Sequence, residues 1–155
     1  MGAVGKAGMI SDSKFPIHNN LKTEFPDSII LFDGVCNLCN SSVQFIIRHD
    51  PQSNFKLASL QSDAGKGLLK KYSLPEEQLY SVILISNNRT FERSRAALEI
   101  ARKLNGLWPM MYLFILIPPF IRNFIYDWIS KNRYRWFGVR NECMIPTKET
   151  KNRFL

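Results

Sequence analysis

Two cysteines three residues apart, Cys36 and Cys39 in Asp33-Gly34-Val35-Cys36-Asn37-Leu38-Cys39, carry the most readily named chemistry in this sequence. A Cys-x-x-Cys pair can cycle between dithiol and disulfide: one sulfur attacks a substrate disulfide and its neighbour resolves the mixed disulfide. The elements that must position the pair are legible on either side of it. Ile29-Ile30-Leu31-Phe32 is a β-branched and aromatic run that predicts a buried strand ending at Asp33-Gly34. Cys36, Cys39, Val43, Ile46 and Ile47 then recur at three- and four-residue intervals, which predicts one face of a helix. Both sulfurs are expected in its first turn, where unpaired N–H groups and the positive end of the helix dipole favour a thiolate. Cys36 is expected to be the more acidic and more exposed sulfur, and Cys39, one turn deeper, the resolving thiol. The competing reading is packing alone, two small apolar residues at the start of a buried stripe.

Three cysteines in 155 residues are too few for a disulfide scaffold and favour a reducing, cytoplasmic setting. At 45% hydrophobic composition the chain can build one sizeable core, hence one domain, expected over residues 28–146. Residues 1–27 are polar and interrupted by Pro16 and Pro26, an expected flexible arm with no apolar run suited to export or membrane crossing. Residues 147–155 read as a polar tail. No motif calls for a cofactor. The net charge of +8 attracts anions, but the cations are dispersed and densest only over Lys131–Arg140. They read as a solvated surface rather than a dedicated nucleic-acid site.

The rest of the chain alternates strand and helix. His49-Asp50-Pro51 stops the first helix, Asn54–Leu60 suggests a second strand, and Ser62–Tyr72 a helix with Leu68, Leu69 and Tyr72 inward. Ser81–Ile85 predicts an interior strand, with Thr90-Phe91-Glu92 returning beside it after an Asn87-Asn88 turn, for about four strands in all. Ser94 is the expected N-cap of a helix with Ala97, Leu98, Ala101 and Leu104 on one face, ended by Asn105-Gly106.

Leu107–Ile121 carries no charge, but it is too short and too proline-broken to cross a bilayer, which takes about 20 residues. It is expected as a core helix or a partner-binding patch, with peripheral membrane contact as the alternative. Pro119 is well placed to open a last helix, whose stripe Phe120, Ile121, Phe124, Ile125, Trp128 and Ile129 is expected in the core. In Lys131–Gly138 cations alternate with aromatics. The expected arrangement has the cations serving the helix C-terminus and the aromatics folding back; base stacking is the alternative. Cys143 stands alone, an inert thiol, an auxiliary partner or a third metal ligand. A metal reading would combine Cys36 and Cys39 with Cys143, His49 or His18, but a second ligand pair is missing.

The Asp33–Cys39 motif resembles the opening motif of the DCC family of thiol-disulfide oxidoreductases, named for an Asp-x-x-Cys-x-x-Cys pattern. Arg93-Ser94-Arg95-Ala96-Ala97-Leu98, Ile117-Pro118 and Asn132–Gly138 are also similar to that family, and the likeness spans Ile29–Pro146. It implies a thioredoxin-like α/β sandwich with additional C-terminal helices. It also implies exchange with a disulfide-containing protein or small thiol substrate, with an external reductant or oxidant restoring the pair. Asp33, Cys36 and Cys39 are the implied catalytic residues. For Asp33 two roles are open, a proton relay to Cys39 or a turn-holding acceptor of backbone N–H groups. Two departures from ordinary thioredoxins bear on substrate recognition. Asn37-Leu38 replaces their Gly-Pro, and no proline immediately precedes Ser81–Ile85.

Overall fold

The computed structural model describes residues 28–75, 81–142 and 145–155. At its centre is β1 (Ser28–Phe32), flanked by β2 (Lys56–Ser59) and β3 (Ile83–Ser86), with β4 (Arg89–Glu92) on the edge beyond β3, in the order β2-β1-β3-β4. β1 runs parallel to β2 and antiparallel to β3, and β3 runs antiparallel to β4. The β3–β4 hairpin turns through Asn87 and Asn88, both at positive φ, a conformation asparagine tolerates better than most residues.

β1 is an unbroken apolar run because both of its faces are covered. Ile30 and Phe32 pack with Val43 and Ile46 of α1 (Asn37–His49) and Ala96 and Ile100 of α3 (Arg93–Arg102). Ile29 and Leu31 meet Leu68 and Leu69 of α2 (Asp63–Lys71) on the other face. Each such fully buried aliphatic side chain stabilises the fold by about 1.5–3 kcal/mol. The molecule is therefore an α/β protein with a four-stranded mixed sheet, consistent with the expected thioredoxin-like architecture. Gly65 lets α2 approach the sheet, since a Cβ there would sit 2.0 Å from the Ser59 carbonyl oxygen.

Local expectations needed adjustment. Ser94 is not the cap of α3: Glu92 holds that position, and the Ser94 hydroxyl, inside the helix, donates to Asn123 Oδ1 at 2.6 Å. Residues 108–116 form a 3₁₀ segment against α3 rather than a core helix, with Met110, Leu113, Phe114 and Leu116 exposed.

The larger correction concerns α4 (Pro119–Phe137), which does begin at Pro119. Its apolar stripe faces away from the domain, with Phe120, Phe124 and Trp128 exposed by 73%, 74% and 56%. Periodicity separates two faces of a helix without saying which one meets the core. Here the polar face docks, because several of its groups find partners on the domain. Asn123 accepts from Ser94, the Tyr126 hydroxyl accepts the Val82 N–H at 3.1 Å, and Arg133 reaches Asp33.

Residues 147–155 fold back onto the sheet. The Leu155 N–H donates to the Leu57 carbonyl at 2.9 Å, Phe154 lies edge-on to Phe32, and Arg153 pairs with the buried Asp50 at 3.0 Å. The expected arm over residues 1–27, which includes His18, and Cys143 lie outside the described residues.

Candidate active site

The end of β1 delivers Asp33 into a buried position where both carboxylate oxygens are fully used. Oδ1 accepts the Val35 N–H at 3.1 Å and the Gln61 side-chain amide at 2.8 Å. Oδ2 accepts the Arg133 guanidinium at 2.8 Å and the Tyr134 hydroxyl. The Gln61 carbonyl oxygen accepts the Gly34 N–H at 3.0 Å, and the Asn40 amide donates to the Gly34 carbonyl at 2.9 Å, so the turn between strand and helix is held from three sides.

Cys36 does not lie within the helix. It is the N-cap, with extended backbone, and its Sγ accepts the Cys39 N–H at 3.4 Å, one of the donors that a helix start leaves unpaired. Only Cys39 sits in the first turn. The expected order of exposure also fails: Cys36 has 0% of its surface accessible and Cys39 5%. The cause lies about 100 residues away in sequence. Gly138, at φ +79°, redirects the chain after α4 so that Val139 pairs with Cys36 across an antiparallel bridge. The Arg140 N–H donates to the Val35 carbonyl at 2.8 Å. Asn37 fastens the same strap, donating from its amide to the Phe137 carbonyl at 2.8 Å and accepting from Arg140 Nε at 2.9 Å.

Cys39 meets a different environment. One Arg133 nitrogen donates to Cys39 Sγ at 3.4 Å while the other holds Asp33 at 2.8 Å, so a single guanidinium bridges thiol and carboxylate. Burial, followed by the hydrogen bond and the charge of Cys36, pushes the Cys39 thiol up from 9.0 to about 12, with the positive charge of Arg133 working in the opposite direction. Burial and the bond to Asp33 push Tyr134 up to about 12, again against Arg133. For Arg133, burial disfavours the cation, yet Cys39, Tyr134, Cys36 and Asp33 together keep its pKa above the ordinary value. Cys39 also lines a cavity of about 540 Å³ walled by Phe45, Val82, Trp108, Tyr126 and Arg133.

The structure thus brings Asp33, Cys36 and Cys39 into one cluster and adds Arg133, Tyr134 and Gln61, which sequence reasoning missed. Arg133 and Tyr134 fall in Asn132–Gly138, where the expected arrangement is only half met. Arg133 is buried at the site instead of serving the helix end, and Trp136 and Phe137 remain substantially exposed. Among the described residues, no group of three or more His, Cys, Asp or Glu side chains could hold a metal. His49 lies ten residues from Cys39 along α1, about 15 Å at the helical rise, with its ring against Phe45 and Trp108.

Residues 30–139 match the family of DCC1-like thiol-disulfide oxidoreductases. The chain belongs to that family. Two relatives cover most of it. The uncharacterized protein YuxK of Bacillus subtilis (strain 168) is 46% identical over 132 residues, 85% of this chain and 96% of that protein. A chloroplastic DCC family protein of Arabidopsis thaliana is 39% identical over 116 residues, 74% of this chain and 67% of that protein. No solved structure matches. In this DCC-family chain the matched segment begins within β1 and ends in the strap, so it contains every residue of the cluster around the cysteines. No helix among the described residues is long and apolar enough to cross a membrane.

Proposed function

We propose that this DCC-family protein exchanges disulfides through Cys36 and Cys39, with Cys36 attacking and Cys39 resolving. The observation that carries the reading is the asymmetry of the two sulfurs. Cys36 Sγ faces a backbone N–H at a helix start, where negative charge is stabilised. Cys39 is held as a thiol by burial, with a guanidinium beside it. As a thiolate, Cys36 attacks one sulfur of the substrate disulfide; the S–S bond breaks, and the other sulfur leaves and takes up a proton. Cys39 then gives up its proton and attacks Cys36 Sγ, expelling the second substrate thiol. Two electrons pass to the substrate, and the protein is left with a Cys36–Cys39 disulfide. An external dithiol restores the pair.

Arg133 supports the second attack, since its N–H already points at the sulfur on which negative charge must develop. Asp33 acts as a positioning residue: it accepts the Val35 N–H of the turn and holds Arg133, which favours the turn-holding role over proton relay. The strap Gly138–Arg140 must lift from Cys36 before a protein or small-molecule disulfide can reach that sulfur. A reducing, cytoplasmic setting, supported by the sparse cysteine content, returns the pair to its dithiol form.

Equilibration in glutathione buffers of graded composition tests the reaction. The wild type is expected to lose two hydrogens by mass at a defined potential, and Cys36→Ser and Cys39→Ser to show no such step. A wild type that forms no Cys36–Cys39 disulfide in any buffer would overturn the assignment.

A further inference from the structure

We infer that the outward face of α4, together with the 3₁₀ segment before it, is a docking surface for anionic lipid membranes, which the chain would meet peripherally. The inference is independent of the redox reading. Phe120, Phe124 and Trp128 follow one another at four-residue spacing along the exposed side of α4, with Ile121 and Ile125 beside them, while Asn123, Tyr126 and Arg133 of the same helix bond to the domain. A helix of a free-standing globular domain normally has the opposite orientation, and a continuous apolar patch of this kind marks an interaction site. The 3₁₀ segment extends it with Met110, Leu113, Phe114 and Leu116, none of them charged. The two pieces also approach across the cavity, whose lining includes Met111 and Ile129.

Charge selects the occupant. Lys131 and Arg135 continue the exposed stripe into the last turns of α4, one and two helical repeats beyond the aromatics. The only carboxylate in the helix, Asp127, lies off that stripe and pairs with Arg93 at 3.5 Å. Apolar side chains with two cations and no anion suit the boundary between acyl chains and anionic headgroups, where long cationic side chains reach the phosphate level. A second copy of the chain would bring the same cations into an interface that offers them no anionic partner, against a net charge of +8 on each copy. The bilayer is contacted rather than crossed, in keeping with the absence of a spanning helix among the described residues. Docked in this way, the chain turns the rim of the cavity that reaches Cys39 toward the lipid.

Co-sedimentation of the full chain with phosphatidylcholine vesicles, with and without phosphatidylglycerol, tests the inference at low and high salt. Binding is expected to the anionic vesicles only, to weaken with salt, and to shift tryptophan emission to the blue. Phe120→Ser/Phe124→Ser/Trp128→Ser is expected to lose binding by about 30-fold or more. Lys131→Glu/Arg135→Glu, at two exposed positions, is expected to lose about 10-fold with an unchanged circular dichroism spectrum. If the triple variant does not fold, the charge variant and the salt dependence decide. Absence of binding to anionic vesicles at low salt, or equal binding by the charge variant, overturns the inference. So does a stable solution dimer, or a protein complex, that covers these residues and blocks the vesicles.

Discussion

Arg133 and Cys39 are 94 positions apart in the chain, yet the guanidinium of one donates to the sulfur of the other at 3.4 Å. A cation placed there lowers the energy of a Cys39 thiolate, while burial and Cys36 raise it. The rate of iodoacetamide alkylation against pH reads this balance. In a Cys36→Ser background, adding Arg133→Met is expected to move the Cys39 midpoint to higher pH. A midpoint that stays in place or falls would remove Arg133 from the account of the resolving step.

Asp33 and Arg133 form an ion pair with both side chains almost fully buried. Removing one partner strands the other charge, so Asp33→Ala should cost about 3–5 kcal/mol in urea unfolding. The double variant Asp33→Ala/Arg133→Met should cost less than the two single changes added together. Simple additivity would mean that the two groups do not depend on each other.

Cys39 also makes stability fall in alkali. Its folded-state pKa, about 12, lies above its ordinary 9.0, so between those values the folded protein keeps a proton that the unfolded chain has lost. That contribution is complete below pH 9 and disappears as pH rises toward 12. Tyr134, raised from 10.0 to about 12, acts in the upper part of the same window. Unfolding free energies measured from pH 8 upward should therefore decline less steeply in Cys39→Ser than in the wild type. An identical slope in the two would contradict the burial-driven shift.

Gly138 holds a positive φ, and a Cβ added there would approach the Asn37 amide nitrogen to 3.2 Å. Gly138→Ala should strain the strap by about 1 kcal/mol. Hydrogen exchange at the Arg140 N–H should then quicken, and Cys36 should be alkylated several-fold faster. Faster exchange with unchanged Cys36 labelling would show that the strap does not control access.

The parts of this molecule legible in its sequence are those set by neighbouring residues. The strand Ile29–Phe32, the turn at Asp33-Gly34 and the apolar period running from Cys39 through Val43 to Ile46 all rest on local rules, and all appear in the structure. The rest depended on distant contacts. The burial of Cys36 is due to Val139 and Arg140, and the burial of Arg133 to Asp33, 100 positions earlier. Spacing along α4 sorted its residues correctly into an apolar and a polar face. Which face turned inward was decided by hydrogen-bond partners at Ser94, Val82 and Asp33 that helical periodicity does not encode.

The account rests on Cys36 being the sulfur that meets the substrate. Cys39→Ser, incubated with a disulfide-containing protein or a small-molecule disulfide and quenched with acid, tests this by peptide mass mapping. A mixed disulfide accumulating on Cys36, and absent from Cys36→Ser, is the expected result; adducts on Cys39 alone in the Cys36→Ser variant, with Cys36 unmodified in Cys39→Ser, would contradict it.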